Sequence, residues 1–327
     1  MLINIKSVIV DIVNASDVSA ILSSVPLSIA GDINDYITAI VEKSYYSDDA
    51  KMCEFKSEST FWKQCNSLSW DLVSVSQSVT NSMFTIMRRN HDIPSADLLF
   101  GLVEIENADY FYMLKLDYKS AYTHFAESHD NQIAVNIIQN NSFLSAQPLK
   151  VSEGFFISIN DPYVKVLEKK YSVDGIKDFY ISTQILACTE NLSPRQKATK
   201  LVKAANKIAE LYYTNEDNIN AYISSTIYEE FQEEAPVRVE HLATKIFKEN
   251  PVAQNEFYQM LSAENISKEE TLSLSEKFQR KFQKQAIKTT SGVEIKIPTQ
   301  LYSNENEIQF INNPDGTVSL LIKNIKI

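Results

Sequence analysis

LLFGLVEIENADYFYMLKL, residues 98–116, is the stretch that decides the fold class. Residues 98–105 and 110–116 are apolar runs of strand length, and the polar residues Glu106, Asn107, Ala108 and Asp109 separate them. Two such runs about a short polar turn read as a β-hairpin. Outward from it, residues 2–13 carry β-branched residues and read as a strand, and residues 133–138 and 154–159 read as further strands between loops rich in Asn and Ser. Helical spacing occupies the gaps. Asp32 is placed to cap a helix with Ile33, Tyr36, Ile37 and Ile40 on one face. Residues 58–89 keep Phe61, Cys65, Leu68, Leu72, Val75, Val79, Phe84 and Met87 at roughly helical spacing, with a break near Ser67 and a stop at Pro94.

Beyond residue 173 the pattern becomes helical as far as residue 288. Ser193-Pro194-Arg195-Gln196 is a helix start: Ser caps, Pro fits the first turn and Gln closes a capping box. Residues 293–297, 308–311 and 318–322 then return to β character, and Asn313-Pro314-Asp315-Gly316 marks a turn before the last of them. The expected fold is α+β, with an N-terminal antiparallel or mixed sheet covered by helices over 1–173. A mainly helical domain over 174–327, ending in a small β element, follows it.

Composition excludes several function classes. Three cysteines without a CxxC spacing give neither a disulfide framework nor a structural zinc site, and they suit a reducing cytosol. Six scattered glycines leave no dinucleotide fingerprint and no phosphate-binding loop, since such loops need glycine for close backbone approach. The uncharged stretch 72–87 is too short and polar for a bilayer span, and no secretory pattern opens the chain. No cofactor or metal is expected. His124 and His129 lie in an expected loop beside Asp130, a spacing too wide for a metal pair without further ligands. Cys188 with His241 is weighed as a nucleophile pair against a simple buried thiol. Glu294-Ile295-Lys296 has the Glu-x-Lys spacing of metal-dependent nucleases, but the preceding twenty residues lack the aspartate such sites require.

Charge supplies the positive signal. The chain carries a net charge of −11, so any polyanion must be met by a local patch. Lys277, Arg280, Lys281, Lys284 and Lys288 fall within an arc of roughly 100° on one expected helix. Lys197, Lys200, Lys203 and Lys207 form a second basic face on the helix from Ser193. These nine residues are the candidate DNA contacts, through the phosphate backbone and largely without sequence preference. A solvated helix face is the ordinary alternative for each stripe. The acidic stretch 214–234, with Glu216, Asp217, Glu229, Glu230, Glu233 and Glu234, is a possible internal counterpart for either one.

Three segments together resemble a bacterial family. The hairpin region from Pro94 to Tyr118, the helical region from Tyr180 to Tyr213 and the closing strand–turn–strand around Asn313-Pro314-Asp315-Gly316 are similar in order and spacing to the nucleoid-associated protein family of the NdpA type, over nearly the full length. The resemblance implies a protein of the bacterial cytoplasm and nucleoid with DNA as partner and no known catalytic activity. It carries no ligand motif, so the binding residues rest on charge alone. A homodimer is expected, because doubling the basic surface offsets the acidic field. The alternative is an adaptor recruited to the nucleoid through a DNA-handling protein; a nuclease ranks third.

Overall fold

The computed structural model describes residues 2–129, 132–213, 219–233, 236–248, 250–301, 304, 306–314 and 317–324. The chain divides into two compact units, Met1–Asn191 and Leu192–Ile327. The first contains β1 (Ile3–Val13), α1 (Asp32–Tyr45), β2 (Lys51–Glu54), α2 (Thr60–Ser67), α3 (Leu72–Arg89), β3 (Ala96–Ile105), β4 (Ala108–Asp117), β5 (Lys119–His129), β6 (Gln132–Phe143), β7 (Gly154–Ser158), β8 (Tyr163–Leu167), β9 (Tyr171–Val173) and β10 (Ile176–Asp178), followed by a π-helical turn, Ile181–Leu186. Six strands form one antiparallel sheet in the order β1-β3-β4-β7-β8-β2.

The opening hairpin is the middle of that sheet. Leu98, Phe100, Phe111 and Met113 face a core built with α2 and α3, while Leu99, Val103, Tyr112 and Leu114 face a second core built with α1. Both faces are covered, and this is why the two runs are apolar throughout instead of alternating. The turn is tighter than expected. Ile105 already pairs with Ala108, leaving only Glu106 and Asn107, both at positive φ, as turn residues. Gly101 sits opposite Tyr112, and a Cβ there would fall 2.5 Å from the Tyr112 hydroxyl and 2.6 Å from the Ser7 carbonyl oxygen.

The division expected at residue 173 falls inside the first unit. Val173, Tyr180, Ile181, Ile185 and Leu186 are buried in its core, and Asp174-Gly175 closes the small β9–β10 hairpin at positive φ. The sequence signal at 173 marks a change of secondary structure, whereas the junction follows where the core ends. Two local expectations also change. Gly31, not Asp32, is the N-cap of α1, and no side chain caps it. His124 and His129 lie on strand β5, not in a loop; Asp130 is outside the described residues.

The hairpin β5–β6 is the converse of β3–β4. Tyr122, Ile133, Val135 and Ile137 are 75, 75, 66 and 79% exposed. Cross-strand pairs Tyr122–Gln139, His124–Ile137, Ala126–Val135 and Ser128–Ile133 give one face with no Lys, Arg, Asp or Glu.

The second unit contains α4 (Pro194–Tyr212), α5 (Ile219–Glu233), β11 (Val237–Arg238), α6 (Val239–Phe247), α7 (Pro251–Ser262), β12 (Thr271–Leu272), α8 (Glu276–Gln279) with a 3₁₀ turn Arg280–Phe282, β13 (Lys284–Lys288), β14 (Glu294–Pro298) with a 3₁₀ turn Thr299–Leu301, β15 (Ile308–Asn312) and β16 (Val318–Ile322). The expected capping box opens α4: the Gln196 amide donates to Ser193 Oγ at 3.2 Å and the Ser193 amide donates to Gln196 Oε1 at 2.9 Å. The helices enclose one core through Leu201, Ile208, Ile227, Leu242, Phe247 and Phe257. The hairpins β13–β14 and β15–β16 share a smaller cluster about Ile297 and Ile308. Of the turn expected at 313–316, Asp315 and Gly316 lie outside the described residues. The fold is α+β.

Candidate nucleic-acid interface

The stripe from Lys277 to Lys288 is not one helix. Lys277 lies on the four-residue α8, Arg280 and Lys281 on the 3₁₀ turn, and Lys284 and Lys288 at the two ends of β13. The helical path stops because other groups take the carbonyls that would extend it. The Thr299 amide donates to the Gln283 carbonyl at 2.8 Å, and the Thr299 hydroxyl lies 3.0 Å from the Phe282 carbonyl oxygen. From Lys284 the chain pairs with β14, setting Ile287 opposite Ile295. That pairing buries Ile297 and half-buries Ile287 and Ile295, which a continuous helix would leave without a shared apolar surface.

The nine candidate cations fall into two classes. Four have carboxylate partners. Lys197 Nζ donates to Glu270 at 2.7 Å, Lys200 pairs with Glu264, Arg280 lies 3.5 Å from Glu276, and Lys288 lies 3.7 Å from Glu294. Among the described residues of the acidic stretch, Glu230 and Glu233 engage Lys245, and Glu230 lies 3.5 Å from His241. Thr214, Glu216, Asp217 and Glu234 lie outside the described residues. The other five, Lys203, Lys207, Lys277, Lys281 and Lys284, are exposed and have no ion pair among the described residues.

Three of these five converge with Arg195. Lys203 and Lys207 from α4, and Lys281 from the 3₁₀ turn, border one open recess of about 680 Å³. Its floor is Val202, Phe278 and Phe282; Thr199 and Asn206 complete the α4 wall, and Glu210 stands at the end of the α4 row. Phe278 is buried in the helical core and packs edge-on to Phe282 at 5.8 Å. The Arg195 guanidinium and the Lys281 ammonium sit 5.6 and 4.8 Å from the Phe278 ring centre, a cation–π arrangement that gathers charge at the rim. Thus the sequence's two separate basic faces share a site, but only in part. Lys197 and Lys200 turn to the other side of α4, where Glu270 and Glu264 neutralise them. Arg195, Thr199, Val202 and Asn206 were missed. Arg195, Thr199, Lys203 and Lys207 are spaced by four, so a ridge along α4 was available in the sequence. What joined it to Lys281 was the return of the chain eighty residues later, on the order that no helical periodicity reaches.

Cys188 is buried in the first unit beside Cys53, and its thiol donates to the Ser182 carbonyl at 3.6 Å. Glu294 and Lys296 share the exposed face of β14, where they pair with each other at 3.5 Å. Among the described residues, no group of three His, Cys, Asp or Glu side chains could hold a metal ion. No described helix is long and apolar enough to cross a membrane.

The most conspicuous charged cluster lies instead in the first unit. Lys115, with its side chain fully buried, reaches Glu153 at 3.0 Å and Asp117 at 2.9 Å. The hydroxyls of Tyr171 and Tyr180 donate to the same Glu153 carboxylate at 2.6 and 2.9 Å. Lys51 and Glu168 form a second buried pair at 3.1 Å, and Glu168 also accepts the Ser182 amide. Every member of these two groups has its partner, so the arrangement ties β4 to the residue before β7, to β9 and to the π-helical turn.

A family model described as "NA37: Nucleoid-associated protein YejK" matches residues 7–327, and the chain belongs to that family. No curated protein matches the chain.

Proposed function

We propose that this nucleoid-associated protein binds double-stranded DNA directly and without catalysis, through phosphate contacts made by Lys203, Lys207, Lys277, Lys281 and Lys284. The observation that carries the reading is the separation of the cations into paired and unpaired sets. A lysine already held by a carboxylate must give up that partner to take a phosphate, whereas these five need only shed water and counter-ions. Membership of a nucleoid-associated family supports DNA as the polyanion and fits a place in the bacterial cytoplasm, on the nucleoid. Five phosphate contacts give a slope of about −4.5 per bound protomer for log affinity against log salt, while engagement of all nine candidate residues gives about −8 per protomer. A filter-binding titration on mixed-sequence duplexes, with the number of bound protomers known, reads this slope; a flat response sinks direct binding, and a slope near −8 per protomer sinks the division into two sets.

The protein is proposed to act as a homodimer. With a net charge of −11 per chain, two copies repel unless they meet on a neutral surface, and the uncharged, exposed face of β5–β6 supports such a contact. An isolated two-stranded hairpin is marginal in water, so a covered face also gives the hairpin a reason to persist. Sedimentation equilibrium on Ile137→Lys and Val135→Lys variants tests this: they sediment as monomers while the parent sediments as a dimer. A second reading, recruitment through a protein that itself handles DNA, is favoured by one observation: the recess beneath the rim cations is apolar.

A further inference from the structure

We propose that the recess between α4 and the 3₁₀ turn at 280–282 is a docking site for an acidic peptide of a partner protein, one that buries an apolar side chain on Val202, Phe278 and Phe282 while its carboxylates meet Arg195, Lys203, Lys207 and Lys281. The proposal goes beyond direct DNA binding and does not depend on it.

The occupant follows from the chemistry of the two surfaces. The rim carries three lysines without an ion pair among the described residues, Lys203, Lys207 and Lys281, beside Arg195 and one carboxylate, Glu210, so it selects an anion. The floor is apolar, and at about 680 Å³ the recess is of the size that ordinarily takes a ligand group. Duplex DNA satisfies the rim alone: its convex, hydrated backbone has nothing apolar to place on the phenylalanines. An apolar ligand without charge satisfies the floor alone. A segment of Asp or Glu flanking Leu or Phe satisfies both, in the usual arrangement of an apolar centre within a polar rim. Asn206 adds a polar residue to the α4 wall.

The site is built on rigid elements. Arg195, Thr199, Val202, Lys203 and Asn206 stand along successive turns of a helix fixed by a complete capping box. Phe278 is anchored in the core and brings Lys281 with it. The peptide therefore meets a largely preformed surface and bears most of the ordering cost itself.

The test uses the full chain and a fluorescently labelled synthetic peptide of Asp and Glu around a central Leu-Phe pair, followed by anisotropy. A second peptide replaces Leu-Phe with Ser-Ser at unchanged charge. The expected result is binding of the first peptide and roughly tenfold weaker binding of the second. Thr199→Trp, a change at an exposed position that fills the recess, is expected to abolish peptide binding and leave duplex DNA binding intact. Lys277→Glu, outside the recess, is expected to do the reverse. Equal affinity for the two peptides overturns the proposal, because it reduces the recess to a polyanion surface. Loss of both ligands in Thr199→Trp, with an unchanged melting temperature, also overturns it and assigns the recess to DNA. Failure of DNA binding in the parent chain, with peptide binding retained, sinks the direct DNA reading and leaves this one standing.

Discussion

Lys115 in the first unit and Lys281 in the second carry the same charge in opposite surroundings. Lys115 is sealed among Glu153, Asp117 and two tyrosines at the centre of a sheet, whereas Lys281 is exposed, rests on an aromatic ring and has no carboxylate partner among the described residues. The first unit uses its strongest ion pairs to fix structure; the second leaves cations available to a partner. A buried charge is tolerated only with its counter-charge in place, while an exposed one contributes little to stability and is free to serve binding.

The comparison breaks most readily at Lys115. Lys115→Met leaves the buried Glu153 without its cation and Asp117 with Lys169 alone, and a loss of about 3–5 kcal/mol is expected in urea unfolding. By contrast Lys203→Ala, Lys207→Ala and Lys281→Ala each stay within about 0.5 kcal/mol. A Lys115→Met protein as stable as the parent removes the distinction. Next in size is the effect on DNA. The triple variant Lys203→Ala/Lys207→Ala/Lys281→Ala is expected to lower the salt slope by about 2.7 per bound protomer, whereas Lys197→Ala/Lys200→Ala leaves it nearly unchanged. Equal losses in the two variants erase the paired and unpaired sets. Smaller again is the cap beneath the basic wall. Ser193→Ala is expected to cost about 1 kcal/mol in thermal or urea unfolding.

Two pH effects sharpen the contrast within the first unit. Burial lowers Lys165 to about 8, with its ammonium 3.6 Å from the Tyr45 ring centre. The folded state therefore binds fewer protons here than the unfolded chain, so this residue's contribution to stability improves as pH rises from about 8 towards the ordinary lysine value. The difference in urea midpoint between the parent and Lys165→Met should change across that window and level off on either side. Asp117 behaves in the opposite sense. Burial opposes its charged form, but Lys115 and Lys169 outweigh burial and hold its carboxyl below the usual range. Its stabilisation is present above the unfolded carboxylate pKa and is lost as pH falls through the folded value. Acid unfolding of Asp117→Asn should lack that component, and an acid limb identical to the parent's argues against the pair.

Much of the fold was legible. The run 98–116 announced a hairpin, and its unbroken apolar character followed from cores on both faces. The Ser193 box was read with its residues in place because capping is local chemistry, completed within four residues. The basic stripe was legible as charge but not as shape. Lys284 and Lys288 are four apart, a spacing that puts two side chains on one face of a helix and also on one face of a strand. Only the pairing of Ile287 with Ile295 and the capture of the Gln283 carbonyl by Thr299 chose the strand. The limit at 173 was misplaced for a similar reason. Composition changes there, yet Tyr180 and Leu186 are buried in the first unit's core.

By itself the sequence determined the central hairpin, the cap at Ser193 and where the cations lie along the chain, because these depend on residue type and short-range spacing. It also determined that an acidic chain must meet any polyanion through a local patch. The tertiary structure alone decided which cations remain available, since neutralisation of Lys197 and Lys200 depends on carboxylates more than sixty residues away. It alone made a recess from α4 and the turn at Phe278–Phe282. Charge is a property of the residue, but availability is a property of its neighbours, and neighbours distant in sequence are set by the packing of the core.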